Sequence, residues 1–197
     1  MLFIFDLDFT LFDADGLKVD LAEALGISYD QLIATYYENF RLPKKMYSPF
    51  EHLDYLLAAD TTIDKAAALA RLDQLGAKMN SRLYPDSIAV LEALKAKNHE
   101  LVLLTMGHHD WQQFKVDNLS IKPYFSDILI TADKINSLKP YGPRKDEMII
   151  VNDNGQECLD FINIYQPKDV VLVEGPYTYN ATHTLQVRKL RDCLEIS

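Results

Sequence analysis

Five short runs of the chain are apolar at consecutive rather than alternating positions: Leu2–Phe5, Leu101–Leu104, Ile128–Ile130, Met148–Val151 and Val170–Val173. Each is bounded by polar or turn residues. Strands apolar on both sides are covered on both faces, which is the mark of a parallel sheet. Helical periods lie between most of these runs. Asp86 is placed to cap a helix with Ile88, Leu91 and Leu94 on one stripe, and Trp111 and Phe114 mark another. A last helix is expected to open at Thr182 with Val187, Leu190 and Leu194 inward. Strands alternating with helices predict an α/β fold: an open, doubly wound, mainly parallel five-stranded sheet.

One interval breaks the alternation. Between Asp13 and Leu83 the pattern is helical throughout. Ser28 followed by Gln31 has capping-box spacing ahead of Leu32 and Ile33, and Leu72, Leu75, Met79 and Leu83 recur at helix spacing. Pro43 and Pro49 bracket a turn between two helical hairpins, and Tyr36, Tyr37 and Phe40 are expected to build the core of this lobe. The expected division is a sheet domain of residues 1–13 and 83–197 and an inserted helical domain of residues 14–82.

Composition narrows the functional classes. Twenty Lys and Arg against 29 Asp and Glu give a formal charge of −9, and no stretch gathers more than three basic side chains, so a nucleic-acid partner is not expected. Cys158 and Cys193 have no Cys-x-x-Cys spacing and read as reduced thiols. The N-terminus lacks a basic region and meets an acid at position 6, and no apolar run approaches the roughly 20 residues of a membrane span. A cytoplasmic protein without a membrane partner is expected.

The chemistry begins where the first run ends, in FIFDLDFTLFD. Asp6 and Asp8 are two positions apart, so an extended chain points both side chains to one side, at the carboxyl end of a buried strand where open α/β sheets bind their ligands. Two adjacent carboxylates repel unless a cation relieves them, and an all-oxygen donor set favours a hard divalent ion such as Mg²⁺. Magnesium usually completes its shell with water and substrate phosphate, so phosphoryl transfer is the natural chemistry.

Asp6-Leu7-Asp8-Phe9-Thr10 resembles the Asp-x-Asp-x-Thr signature of the haloacid dehalogenase-like hydrolases, most of which are magnesium-dependent phosphatases. The resemblance implies that Asp6 is the nucleophile, forming an aspartyl-phosphate, and that Asp8 is the general acid and base. In the dehalogenases that name the family the second acid is absent, so Asp8 argues for phosphoester chemistry. Many members carry Gly where Phe9 stands. LYPDSIAVLEALKAKNHELVLLTMG also resembles the family's lead-in to a strand ending in Ser or Thr. It makes Thr105 a hydroxyl donor to the phosphoryl group, with Thr10 and Met106 as further substrate-binding positions. Lys139, followed by Pro140, is the implied phosphate-neutralising lysine, with Lys145 as its rival. In MIIVNDNGQE, Asp153 would complete the magnesium site with Asp6 and the backbone carbonyl of Asp8, while Glu157 is expected to orient a metal-bound water. His108 and His109 read as solvated residues opening a helix.

The match spans residues 1–13 and about 84–175, and it makes the helical insert resemble the family's mobile cap over small substrates. A phosphomonoester hydrolase acting on a small phosphorylated metabolite is the leading expectation. A phosphomutase and a low-turnover phosphate- and metal-binding module are the alternatives. The chain departs from the family pattern after Lys139-Pro140, where only Tyr141–Glu147 replaces a helix of ten or more residues. A sheet face short of one covering helix, open to an oligomeric or other partner, is the expected consequence.

Overall fold

The computed structural model describes residues 1–60, 62–181 and 184–196, Asn180 through its backbone alone. The strands are β1 (Leu2–Phe5), β2 (Glu100–Met106), β3 (Asp127–Thr131), β4 (Met148–Asn152), β5 (Asp169–Val173) and β6 (Val187–Arg188). The helices are α1 (Ala14–Leu25), α2 (Tyr29–Tyr36), α3 (Pro49–Ala59), α4 (Lys65–Gln74), α5 (Ser87–Ala96), α6 (His109–Asp117), α7 (Lys134–Ser137) and α8 (Gly155–Tyr165). Two compact units result, one of Met1–Asp13, Leu83–Met106 and Ser120–Ser197, the other of Ala14–Arg82 and Gly107–Leu119. Residues 107–119 therefore group with the helical insert rather than with the sheet they interrupt. Among the described residues, no helix is long and apolar enough to cross a membrane.

The first unit is a parallel sheet in the order β3-β2-β1-β4-β5-β6, flanked by helices. All five predicted runs are strands. The sheet has six strands rather than five, because Val187 and Arg188 pair with Leu172 and Val173 while the Arg188 guanidinium meets Asp169 at 2.7 Å. That pairing corrects the expected last helix: Val187 is a strand residue on the surface, and only a 3₁₀ turn, Leu190–Glu195, follows. Thr182, its expected start, lies outside the described residues. The face expected to lack a helix is covered. Leu2, Ile4, Val102, Leu104, Met148 and Ile150 lie buried with Leu138 and with Phe161 and Tyr165 of α8, and Ile135 and Tyr141 pack against them. A short segment suffices because Leu138 reaches the sheet directly and is buried against these strand residues.

The second unit is helical. Ser28 accepts the Gln31 N–H at 3.2 Å and starts α2, Pro49 occupies the first turn of α3, and Asp64 accepts the Ala67 N–H at 3.0 Å to start α4. Leu72, Leu75 and Met79 are buried, the last two in a 3₁₀ continuation, Leu75–Arg82. Arg82 meets the buried Asp20 carboxylate at 2.7 Å and ties that segment to α1. Phe40 is the centre of an aromatic cluster with Tyr36, Tyr47 and Tyr55, whereas Tyr37, expected in the core, is exposed.

Candidate active site

The site is set by where β1 stops. The Asp6 N–H still donates to the Val151 carbonyl at 2.9 Å, and the chain then turns tightly, with the Leu7 carbonyl accepting from the N–H groups of Leu11 and Phe12 at 2.9 and 3.0 Å. Phe5 is in register with Leu103 of β2 and Val151 of β4. Asp6 is thus level with Leu104 and Asn152, and Thr105 and Asp153 stand one residue further out. These three side chains come from adjacent strands at one carboxyl edge, the usual ligand-binding edge of such sheets.

Asp6 is almost completely buried. One of its oxygens accepts the Leu7 N–H at 2.8 Å, and the other lies 2.8 Å from the Lys134 ammonium. Burial pushes the Asp6 carboxyl up to about 6; Lys134 opposes the rise, and the negative charges of Glu157 and Asp8 add to it. Burial works against the Lys134 charge, but Asp6 and Glu157 outweigh it and hold the ammonium protonated.

The structure therefore corrects the expected lysine. Lys139 is exposed at the start of a 3₁₀ stretch, and Lys145 lies 3.5 Å from Gln166; neither meets Asp6. Lys134 does, because Asp133 caps α7 immediately after β3, accepting the Asn136 N–H at 2.9 Å, and so places the first residue of α7 beside the strand ends. Of the three lysines between β3 and β4 it is the nearest in sequence to a strand's carboxyl end, which is the signal that could have found it. Glu157 is also engaged: its Oε2 accepts from Lys134 at 2.7 Å and from Asn152 Nδ2 at 2.8 Å.

Asp153 is 2 % exposed, and its Oδ2 has no hydrogen-bond partner among the described residues. Burial pushes its carboxyl up to about 7, with the Asp6 charge adding to the rise. The buried hydroxyls of Thr10 and Thr105 are equally without partners among the described residues. Buried polar atoms are nearly always satisfied, so these three oxygens, without partners among the described residues, fit a ligand held beside Asp6. Oxygen donors at elevated proton affinity suit a hard cation, and hydroxyl donors suit an anion. Among the described residues no group of three His, Cys, Asp or Glu side chains is arranged to hold a metal; the set expected here has two carboxylates and a carbonyl. Met106 ends β2 half-exposed. His108 and His109 belong to the helical unit, His108 lying 3.7 Å from Glu51 and His109 3.3 Å from Asp110.

A family model described as haloacid dehalogenase-like hydrolase matches residues 1–159. A protein of Burkholderia xenovorans LB400 assigned as a haloacid dehalogenase-like hydrolase superposes with a TM-score of 0.76 at 21% identity, covering 100% of this chain and 95% of its own. The L-2-haloacid dehalogenase of Xanthobacter autotrophicus gives 0.63 at 16% identity, covering 99% and 97%. A predicted phosphoglycolate phosphatase of Haemophilus somnus 129PT gives 0.58 at 19%, covering 99% and 96%. No curated protein matches the sequence significantly. At these identities the structural neighbours establish the fold, and the family match over most of the length identifies the chain as a member of the haloacid dehalogenase-like hydrolases, an enzymatic hydrolase.

Proposed function

We propose that this hydrolase is a magnesium-dependent phosphomonoesterase acting on a small phosphorylated metabolite through a covalent intermediate on Asp6. The observation that carries this reading is the buried Asp6–Lys134 pair at 2.8 Å, together with the oxygens of Thr10, Thr105 and Asp153 that have no partner among the described residues. Asp6, with a carboxyl near 6, is mostly ionised at neutral pH and available as a nucleophile. Its oxygen attacks phosphorus, the bond from phosphorus to the ester oxygen breaks, and Asp8 gives that oxygen a proton. Asp8 then takes a proton from water as the water attacks the same phosphorus, the bond to Asp6 breaks, and orthophosphate leaves. Lys134 balances charge on Asp6 and the phosphoryl oxygens, and the Thr105 and Thr10 hydroxyls donate to the phosphoryl group. Asp6, Asp153 and the Asp8 carbonyl would hold Mg²⁺, which supplies charge neutralisation at the phosphoryl oxygens.

Asp8 is the residue that favours ester hydrolysis over dehalogenation, because an alkoxide leaving group needs a proton and a halide does not. The helical unit is assigned the role of a cap that excludes water from a small substrate. The free buried Cys158 and Cys193 suit a cytoplasmic protein. The test is phosphate release over a panel of phosphorylated metabolites, with and without magnesium, for the wild type and Asp6→Asn. Release that requires magnesium and disappears in Asp6→Asn supports the reading. Full activity of Asp6→Asn, or turnover in chelator, refutes it, and conversion of a sugar phosphate to its isomer without phosphate release would make the enzyme a mutase.

A further inference from the structure

Phe9 has φ of 62°, a left-handed conformation that glycine adopts freely and a phenylalanine does not. Its ring meets Tyr177 edge-on, with centroids 5.8 Å apart at 80°. The two rings come from opposite sides of β4. Phe9 follows β1, Tyr177 follows β5, and β4 lies between those strands in the sheet. The contact thus arches across the carboxyl end of β4, where Asp153 stands.

The segment carrying Tyr177 packs directly against Asp153. The Thr178 hydroxyl lies 3.2 Å from the Asp153 carbonyl and accepts the Gly175 N–H at 2.7 Å, and the Tyr177 carbonyl accepts the Gly155 N–H at 3.2 Å. Gly175 is so close that an added Cβ would lie 2.6 Å from both Cβ and Oδ2 of Asp153. On the other side, Phe9 is joined to Asp6 and Asp8 by the tight turn at Leu7. The Phe9–Tyr177 contact therefore links the segment bearing Asp6 to the segment that sets the position of Asp153.

We infer that Phe9 and Tyr177 are positioning residues for divalent-cation binding: their edge-on contact holds the Asp6–Asp8 turn at a fixed distance from Asp153. The inference rests on the magnesium site proposed above. A strained backbone at Phe9 is maintained because the ring, and not merely the turn, is needed. Residues that orient metal ligands from behind typically change affinity 10–100-fold when removed.

The experiment measures Mg²⁺ binding to the full chain by titration calorimetry and by the magnesium-induced rise in melting temperature. It compares the wild type with Phe9→Gly, Tyr177→Ala and Tyr177→Phe. Phe9→Gly is conformationally relaxed at this position, so its metal-free melting temperature reports whether folding is intact. The expected result is a Kd raised about tenfold in Phe9→Gly and Tyr177→Ala, with the wild-type value in Tyr177→Phe. Equal Kd in all four proteins would overturn the inference while leaving the magnesium site standing. Loss in Tyr177→Phe equal to that in Tyr177→Ala would also overturn it, by assigning the effect to the hydroxyl. A wild type that binds no magnesium would overturn the metal site itself and this inference with it.

Discussion

Replacing Lys134 by Met separates the observed site from the expected one. The substitution keeps an unbranched side chain of similar length in a position that is 7 % exposed, and it removes the ammonium charge. Two ion contacts go, at 2.8 Å to Asp6 and 2.7 Å to Glu157. Coulomb's law for unit charges 2.8 Å apart gives about 6 kcal/mol at an effective dielectric of about 20. Much of this offsets the cost of burying the ions, and a carboxylate that loses an adjacent cation rises by about 1–3 pKa units. Asp6 starts from about 6, so it is about nine-tenths ionised at pH 7. A rise of about two units leaves about a tenth of it ionised, and the nucleophile is lost by protonation before any effect on phosphate is counted. The assay is kcat/KM for phosphate release between pH 5 and 9 at fixed magnesium, for the wild type, Lys134→Met and Lys139→Ala. A bound cation pulls both acid limbs down together, so their difference is the readout. Lys134→Met should lose at least a hundredfold at pH 7 and shift its acid limb upward, whereas Lys139→Ala should stay within about twofold. An unshifted acid limb in Lys134→Met, or a collapse in Lys139→Ala, would refute the assignment.

Three further outcomes follow from the same geometry. Thr105→Val removes a buried hydroxyl that has no partner among the described residues, so the melting temperature should not fall while kcat/KM drops about a hundredfold; a loss of stability with full activity would make Thr105 a structural residue. Gly175→Ala drives a methyl to 2.6 Å from Asp153 and should cost about 1–3 kcal/mol by urea unfolding while raising the magnesium needed for half-maximal activity; an unchanged requirement would refute the packing argument. In the helical unit the fully buried His52 donates from Nε2 to Thr35 Oγ1 at 2.6 Å, since that hydroxyl donates onward to the Gln31 carbonyl at 2.7 Å, and Nδ1 accepts from Tyr47 at 3.3 Å. Burial lowers its pKa from 6.5 to about 4. The stability it contributes is complete above about 6.5 and is lost as pH falls toward 4, up to about 3 kcal/mol; His52→Gln should flatten that slope in urea unfolding, and parallel slopes would contradict it.

The strands were legible because a parallel strand covered on both faces writes itself as an uninterrupted apolar run, and Met148–Val151 between Glu147 and Asn152 is such a run. β6 was not, since two residues with one apolar side chain carry no period, and its pairing with β5 depends on the Arg188–Asp169 contact between segments 19 residues apart. The place of Asp6 at the carboxyl end of β1 was readable from the apolar run that precedes it. Lys134 was not, because its place beside Asp6 is decided by the Asp133 cap and by the order of three neighbouring strands, and the more conspicuous Lys139-Pro140 pair drew the assignment outward. The contacts of Glu157 were equally out of reach, since Lys134 and Asn152, which converge on one of its oxygens, come from two other segments. Tyr37 shows the limit of composition, as an aromatic next to Phe40's cluster need not join it.

The central claim is that Asp6 accepts the phosphoryl group. A rapid-quench reaction with an ester that the wild type hydrolyses, followed by peptide mass spectrometry, tests it directly. The account predicts one phosphoryl group on the carboxylate of Asp6 during turnover, labile to alkali and absent from Asp6→Asn. Steady turnover by the wild type with Asp6 unmodified at every quench time and no burst of alcohol release ahead of phosphate, or a phosphoryl group trapped on another residue, would contradict it.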